Sequence, residues 1–258
     1  MPKVVILAGG LGTRLSEETE LRPKPMVEIA GKPILLHIME RYAHYGVHEF
    51  VIALGYKGEV IKRYFRDLVD LQGDLTIRTA SGTYERRVSG GLDWTVRLIE
   101  TGQSTMTGGR LRRLASLLKD ETFFLTYGDG VADVDLAALL AHHQRLGRTA
   151  TITAVRPPAR FGGLTLDDGR VTSFTEKPQI GEGWINGGFM VFEPSVLNSL
   201  AGDETVLEAH VLERLAADGQ LAAYEHTGFW QCMDTVRDLR VLESLAASGS
   251  PPWAPPKS

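Results

Sequence analysis

Val4-Val5-Ile6-Leu7-Ala8-Gly9-Gly10-Leu11-Gly12-Thr13-Arg14 follows three leading residues, and its reading decides the fold. Five apolar residues, Val4 to Ala8, stop abruptly at a glycine cluster. A short β-branched run bounded by glycines predicts a buried strand feeding a tight loop. A strand apolar along its whole length belongs in a parallel sheet covered on both faces. The next residues agree. Pro33 to His44 carries Ile34, Leu35, Ile38, Met39 and Tyr42 at helical spacing, with Pro33 suited to a first helical position. Phe50 to Leu54 reads as a second apolar strand and Glu59 to Val69 as a second helix.

This alternation predicts βαβ units. Further strands are expected at Leu75 to Thr79, Thr95 to Ile99, Thr122 to Tyr127 and Ala150 to Val155, with helices over Arg110 to Leu118 and Asp135 to Arg145. After Pro157-Pro158 the pattern changes. Asp168-Gly169 between alternating runs predicts a hairpin. Strands follow around 173–176 and 189–192, and helices over 204–217 and 236–247. The fold class is therefore α/β: one Rossmann-like domain over residues 1–247, with a mixed, mostly parallel sheet flanked by helices and antiparallel C-terminal additions. Residues 248–258, with four prolines, read as a Pro-rich C-terminal tail.

Composition removes several classes of function. The 258 residues hold 28 Lys and Arg against 32 Asp and Glu, a formal net charge of −4. A general nucleic-acid coat needs a basic excess to displace counterions, so no nucleic-acid partner is expected. Hydrophobic residues at 43% and charged residues at 23% are ordinary for a globular chain. The single cysteine, Cys232, excludes an internal disulfide framework. No signal-peptide pattern and no apolar run of membrane-spanning length is present, so a cytoplasmic protein without a membrane partner is expected.

The glycine loop carries the first chemistry. Glycines after the first strand let backbone N–H groups approach an anion, and such ligands sit at the carboxyl ends of the strands. Arg14 adds a fixed charge and Lys24, in Arg22-Pro23-Lys24-Pro25, a second, which together suit a polyphosphate. The pattern is neither the dinucleotide fingerprint, because Leu15 stands where a third glycine is required, nor a P-loop, because Gly31-Lys32 precedes Pro33.

Two acids stand out. Asp129 follows the apolar run Phe123 to Tyr127 with a glycine on each side; its alternative reading is a turn aspartate. Asp234 precedes the helix expected from Val236; its alternative reading is an N-cap. A magnesium ion bridging phosphates needs one or two carboxylates plus substrate oxygens, so the pair says more than either acid alone. Residues 86–119 hold seven basic residues against two acids. Within them, Ser104 to Arg110 combines hydroxyls, glycines and an arginine placed just before the expected helix, a composition suited to an anion or a nucleobase. Arg110 is the candidate ligand contact there. Glu176-Lys177-Pro178 and Asn186-Gly187-Gly188 offer a cation for a second phosphate and hydrogen-bonding groups for sugar hydroxyls; read alone, they are loop residues.

Taken together, Leu7 to Leu15, Pro23-Lys24-Pro25-Met26, Tyr127-Gly128-Asp129, Glu176-Lys177-Pro178 and Asn186-Gly187-Gly188 resemble the sugar-1-phosphate nucleotidyltransferase family, in the order that family requires, from about Lys3 to Leu245. Ser16 to Thr19, Met26 to Ile29, Gly55 to Gly58, the 104–111 segment and Gly228-Phe229-Trp230-Gln231 are similar to its cytidylyl-transferring branch. The resemblance implies CTP and glucose 1-phosphate as substrates, CDP-glucose and pyrophosphate as products, Mg²⁺ as cofactor, and a homo-oligomer, trimeric or hexameric. It implies that Asp129 and Asp234 hold the metal. It assigns Leu7, Ala8, Gly9, Gly10, Leu11, Gly12, Thr13, Arg14, Lys24, Thr105, Arg110 and Gly128 to the nucleotide, and Tyr127, Glu176, Lys177, Asn186, Gly187 and Gly188 to the sugar phosphate. Arg14, Lys24 and Asp129 are the catalytic candidates. Two segments depart from the family pattern: Ala209-His210-Val211-Leu212 after Glu208, and residues 82–91. Another pyrimidine nucleotide or another sugar 1-phosphate remains open, as does a nucleotide-sensing subunit without turnover.

Overall fold

The structure is a computed structural model and is described for residues 1–10, 12, 15, 19–87, 91–157, 163–167, 170–175 and 183–255. Its centre is an eight-stranded sheet. In chain order the elements that matter are β1 (Val4–Ala8), α1 (Ile34–His44), β2 (Glu49–Leu54), α2 (Gly58–Asp70), β3 (Thr95–Glu100), α3 (Thr107–Arg113), β4 (Phe123–Tyr127), β5 (Gly130–Ala132), α4 (Leu136–Leu146), β6 (Ala150–Val155), β7 (Ile185–Asn186), β8 (Met190–Phe192), β9 (Leu221–His226), β10 (Trp230–Cys232) and α5 (Val236–Ala247). The sheet order is β7-β6-β8-β4-β1-β2-β3, with β9 paired to β6.

β1 runs parallel to β2 and β4, and β2 parallel to β3. β8 joins β4 antiparallel, so the antiparallel additions begin there. All five residues of β1 are buried, as the absence of alternation predicts. Alternate residues serve opposite faces. Val4, Ile6, Phe50, Ile52 and Phe124 pack with α1 residues Ile34, Leu35 and Ile38 on one side. Val5, Val51, Phe123 and Leu125 pack with Leu111, Leu118, Leu207 and Val211 on the other.

β7 and β8 lie along one edge of β6 and are separated by a break at Gly187 to Phe189. The break needs glycine. Gly188 has φ +75°, and a Cβ on Gly187 would lie 2.6 Å from Val155 Cγ1. β5 and β10 form a two-stranded antiparallel ladder with Cys232 opposite Gly130. That ladder ties the loop after β4 to the segment before α5.

Several expectations change. The helix expected from Arg110 begins at Thr107 and breaks after Arg113, resuming as Ala115–Leu118, so Arg110 lies within a helix rather than ahead of one. The helix expected over 204–217 is a π-helix at Leu207–Leu212 followed by Glu213–Ala217. The strand expected at 75–79 does not join the sheet; Asp74–Arg78 pairs only with Thr83–Arg87 in an exposed hairpin. The stretch read as a tail folds back in part. Trp253 is 1% exposed, packs on Phe229, and its indole N–H donates to His37 Nδ1 at 3.2 Å. Among the described residues no helix is long and apolar enough to cross a membrane.

Candidate active site

The carboxyl ends of β1, β2, β3 and β4 gather on one side of the sheet, where the chain must turn away and expose backbone groups. One side chain holds three of these ends together. The Arg110 guanidinium, 4% exposed, donates from Nη1 to Leu54 O at 3.0 Å, Thr101 Oγ1 at 2.8 Å and Gly102 O at 2.7 Å. From Nη2 it donates to Gly9 O at 3.0 Å and Gln103 O at 3.3 Å. Gly9 follows β1, Leu54 ends β2, and Thr101 to Gln103 follow β3. A Cβ on Gly9 would collide with this guanidinium, which is why the loop starts with glycine. Burial, and then the nearby Arg113 charge, push the Arg110 pKa down.

Beside this staple lies a cavity of about 520 Å³. Leu7, Ala8, Gly9, Gly10 and Gly12 form one wall, Gln103 to Thr107 with Arg110 another, and Lys24, Pro25, Tyr127, Gly128, Asp129, Val206, Glu208 and Asp234 the rest. A second chamber of about 220 Å³ is lined by Thr126, Gly130, Asn186, Gly187, Phe189, Trp230 and Cys232. Tyr127, Asp129 and Asp234 line both, so the chambers meet at the two carboxylates.

The carboxylates converge through strand pairing. The β5–β10 ladder continues into a bond from Met233 N–H to Asp129 O at 2.8 Å, which sets Asp234 beside Asp129. Asp234 is not the helix cap. Thr235 caps α5 in a reciprocal box with Asp238, leaving the Asp234 side chain to face the chambers. Lys24 comes from a single 3₁₀ turn, Lys24–Met26, and its ammonium lies 2.6 Å from Asp129 Oδ2 and 2.6 Å from Asp234 Oδ1. Burial lowers the Lys24 pKa, but Asp129 and Asp234 outweigh it and hold the group above its ordinary value.

Tyr127 connects the chambers. Its hydroxyl donates to Glu208 Oε1 at 2.6 Å and accepts from Asn186 Nδ2 at 3.4 Å, while Thr107 Oγ1 donates to Glu208 Oε2 at 2.8 Å. Burial and then the Glu208 carboxylate raise the Tyr127 pKa, so the phenol stays protonated. Asn186 Oδ1 accepts from Gly188 N–H at 3.0 Å, which orients the amide. Burial pushes the Cys232 thiol up to about 12, with Asp234 the next cause.

The larger chamber thus brings together Leu7, Ala8, Gly9, Gly10, Gly12, Lys24, Thr105, Arg110 and Gly128, and the smaller one Asn186 and Gly187, with Tyr127, Asp129 and Asp234 common to both. Gly188 shapes the wall by its backbone. Leu11, Thr13, Arg14, Glu176 and Lys177 lie outside the described residues. Sequence reasoning did not single out Glu208, Gln103, Trp230 or Thr126 as side chains of the site. Glu208 sits in Val206-Leu207-Glu208-Ala209-His210-Val211-Leu212, where an acid looks like a solvent-facing helix residue; here the segment is a π-helix and Glu208 lines the larger chamber.

The Nucleotidyl transferase family profile matches residues 3–244. The chain is 52% identical over 252 residues to the glucose-1-phosphate cytidylyltransferase of Salmonella typhi, covering 97% of this chain and 98% of that one. It is 44% identical over 253 residues to a probable glucose-1-phosphate cytidylyltransferase of Bacillus subtilis, covering 97% and 98%. Among solved structures, HddC from Yersinia pseudotuberculosis complexed with GMP-PN superposes with a TM-score of 0.68 at 24% identity, covering 95% of this chain and 99% of that one, a likeness of fold. With the profile matched across nearly the whole sheet, and relatives of equal length sharing half of their residues with it, the chain belongs to the nucleotidyl transferase family.

Proposed function

We propose that the protein is a glucose-1-phosphate cytidylyltransferase that joins CTP and α-D-glucose 1-phosphate to give CDP-glucose and pyrophosphate. The observation that carries this reading is the pair of chambers meeting at Tyr127, Asp129 and Asp234, with Lys24 of the larger chamber bonded to both carboxylates. The larger one has room and backbone donors for a nucleoside triphosphate. The smaller one has a pyranose-sized volume and a polar rim. The 52% identity to the Salmonella typhi relative supports the choice of cytidylyl transfer and of glucose 1-phosphate.

A phosphate oxygen of the sugar phosphate attacks the α-phosphorus of CTP in line, and pyrophosphate leaves from the opposite side. The nucleophile is already an anion, so no general base is needed. Two polyanions repel, and the protein's task is positioning and charge neutralisation. The Gly9 to Gly12 backbone and Arg14 cradle the triphosphate, with Lys24 supplying charge toward the departing pyrophosphate. Thr105 borders the base end, and Arg110 keeps the loop ends in register from behind. Asn186 and Tyr127 face the sugar, joined there by Glu176 and Lys177.

Asp129 and Asp234 fit a divalent cation. Their oxygens already flank one cationic group, Lys24 Nζ, and two carboxylates completed by substrate oxygens is a coordination Mg²⁺ accepts. Bound there, Mg²⁺ would neutralise charge on the reacting phosphate oxygens. The protein also acts as a homo-oligomer in this reading, a point that light scattering of the purified chain tests.

The functional experiment is pyrophosphate release from each nucleoside triphosphate with glucose 1-phosphate and magnesium. Release selective for CTP is expected. Release with another triphosphate or only another sugar phosphate would replace the substrate assignment. CTP binding without release from any pair would replace enzyme by sensor.

A further inference from the structure

The cation between Asp129 and Asp234 is a side chain of the protein itself. Lys24 Nζ bonds one oxygen of each carboxylate at 2.6 Å, and its side chain is 12% exposed. Among the described residues, no group of three or more Asp, Glu, His or Cys side chains is placed to hold a metal ion. Among the described residues a metal at this place meets the two carboxylates Asp129 and Asp234, and both are already paired with the Lys24 ammonium.

We propose that Lys24 is the resident cation of the Asp129–Asp234 pair in the nucleotide-free protein, and that a divalent cation gains this site only together with a polyphosphate that draws Lys24 off the carboxylates. The proposal rests on the assignment of the larger chamber to a nucleoside triphosphate.

The physical argument is competition for two oxygens. A divalent ion entering alone would displace a largely buried ammonium and leave it facing a like charge, with no anion to receive it. The ion would also keep most of its water, since two carboxylates fill only part of an octahedral shell. A triphosphate changes both conditions at once. It brings oxygens that complete the shell, and it brings an anion into the chamber that Lys24 already lines. Lys24 can then exchange one anionic partner for another without its charge ever being left unpaired. Until then, the ion pair keeps the two carboxylates from repelling each other and holds them in the geometry that a divalent cation needs.

Mn²⁺, which suits oxygen ligands and is visible by electron paramagnetic resonance, is the probe. Full-length wild type, Lys24→Met and Lys24→Arg are titrated with Mn²⁺ without nucleotide or sugar, each first shown to be folded by circular dichroism. Lys24→Met is expected to bind Mn²⁺ at least tenfold more tightly than wild type, while Lys24→Arg, which keeps a cation on the carboxylates, stays as weak as wild type. Adding Asp129→Asn to Lys24→Met is expected to abolish the gain, which places the ion at this pair. In case Lys24→Met does not fold, wild type is also titrated with saturating CTP; the ternary complex is expected to hold Mn²⁺ more tightly than either protein or CTP alone. The proposal is overturned if folded Lys24→Met binds no better than wild type, or if wild type alone binds Mn²⁺ as tightly as its CTP complex does. None of these readouts involves turnover. Failure here therefore leaves pyrophosphate release from CTP intact, whereas failure of the functional reading shows as no release from any triphosphate.

Discussion

Replacing Arg110 with lysine separates two roles that an arginine in a nucleotide chamber can play. Direct contact with the ligand needs a positive charge, which lysine retains. Stapling three strand ends needs a planar fork that reaches several acceptors at once, which lysine lacks. The guanidinium makes five contacts, to Leu54 O, Thr101 Oγ1, Gly102 O, Gly9 O and Gln103 O. An ammonium has three donors, so at least two contacts are lost. Hydrogen bonds from a charged donor contribute about 1.5–3 kcal/mol each, giving a loss of about 3–6 kcal/mol. Water entering from the chamber can satisfy some freed carbonyls, which favours the lower end, about 3 kcal/mol. For a chain of this size that lowers Tm by about 6–12 °C. The assay is urea unfolding of wild type and Arg110→Lys, with CTP affinity measured by calorimetry on the same preparations. Loss of stability together with weaker CTP binding is expected, with saturating CTP restoring part of the Tm. A variant with wild-type stability, whatever its CTP affinity, would refute the staple.

Four further outcomes follow from the same structure. Asp129→Asn, which keeps the side-chain shape but removes one of the two charges at the meeting point, should reduce kcat on the order of 10²–10³-fold or more while the chain remains folded, measured by pyrophosphate release. Trp253→Ala empties a site that is 1% exposed and should destabilise the fold by about 3–5 kcal/mol in urea titrations, an effect absent if 248–258 were only a solvated tail. His37 accepts from the Trp253 indole at Nδ1 and meets Ile29 O with Nε2, so the fold holds it neutral, and burial sets its pKa below 6.5. The unfolded chain then binds a proton that the fold excludes. Stability is full above about pH 6.5 and falls as the pH drops below it, at up to about 1.4 kcal/mol per pH unit; His37→Gln should flatten that limb relative to wild type. Cys232, with its thiol pushed up to about 12, should react with a disulfide reagent at pH 8 about 10³-fold more slowly in the native protein than after unfolding.

The parallel half of the fold was legible because each strand carries its own evidence. Val4 to Ala8, Phe50 to Leu54 and Phe123 to Tyr127 are apolar without alternation, and only burial on both faces explains that. The α1 periodicity was equally local. What the chain did not show was any feature set by packing between distant segments. The 107–113 helix starts early because Gly108 and Gly109 N–H groups bond Thr205 O at 2.9 and 3.1 Å, a contact across about a hundred residues. The Asp74–Arg78 strand has ordinary β-forming residues, yet its only partner is its own hairpin, and nothing in its composition distinguishes that from an edge of the sheet. Trp253 stands among prolines, the usual mark of an extended terminus; its indole finds a buried acceptor on α1, 216 residues away.

The site divides the same way. The glycine loop was readable because the strand, the turn and the ligand-facing N–H groups lie within a few consecutive residues. That Lys24 bonds both Asp129 and Asp234 was not readable from local sequence, because the pairs are separated by 105 and 210 residues. Asp234 illustrates the obstacle most directly. Aspartate two residues before a helix is a good cap on local grounds, and a local argument has no reason to look further. Here Thr235 and Asp238 satisfy the helix terminus between them, so the acid ahead of them is not needed by α5. A carboxylate relieved of its local task, half-buried and set by the β5–β10 ladder next to a second carboxylate, repels that neighbour unless a cation lies between them. The fold meets this demand with Lys24. The same demand is what makes the position suitable for a metal, so the lysine that stabilises the free protein and the ion that serves the reaction compete for one place.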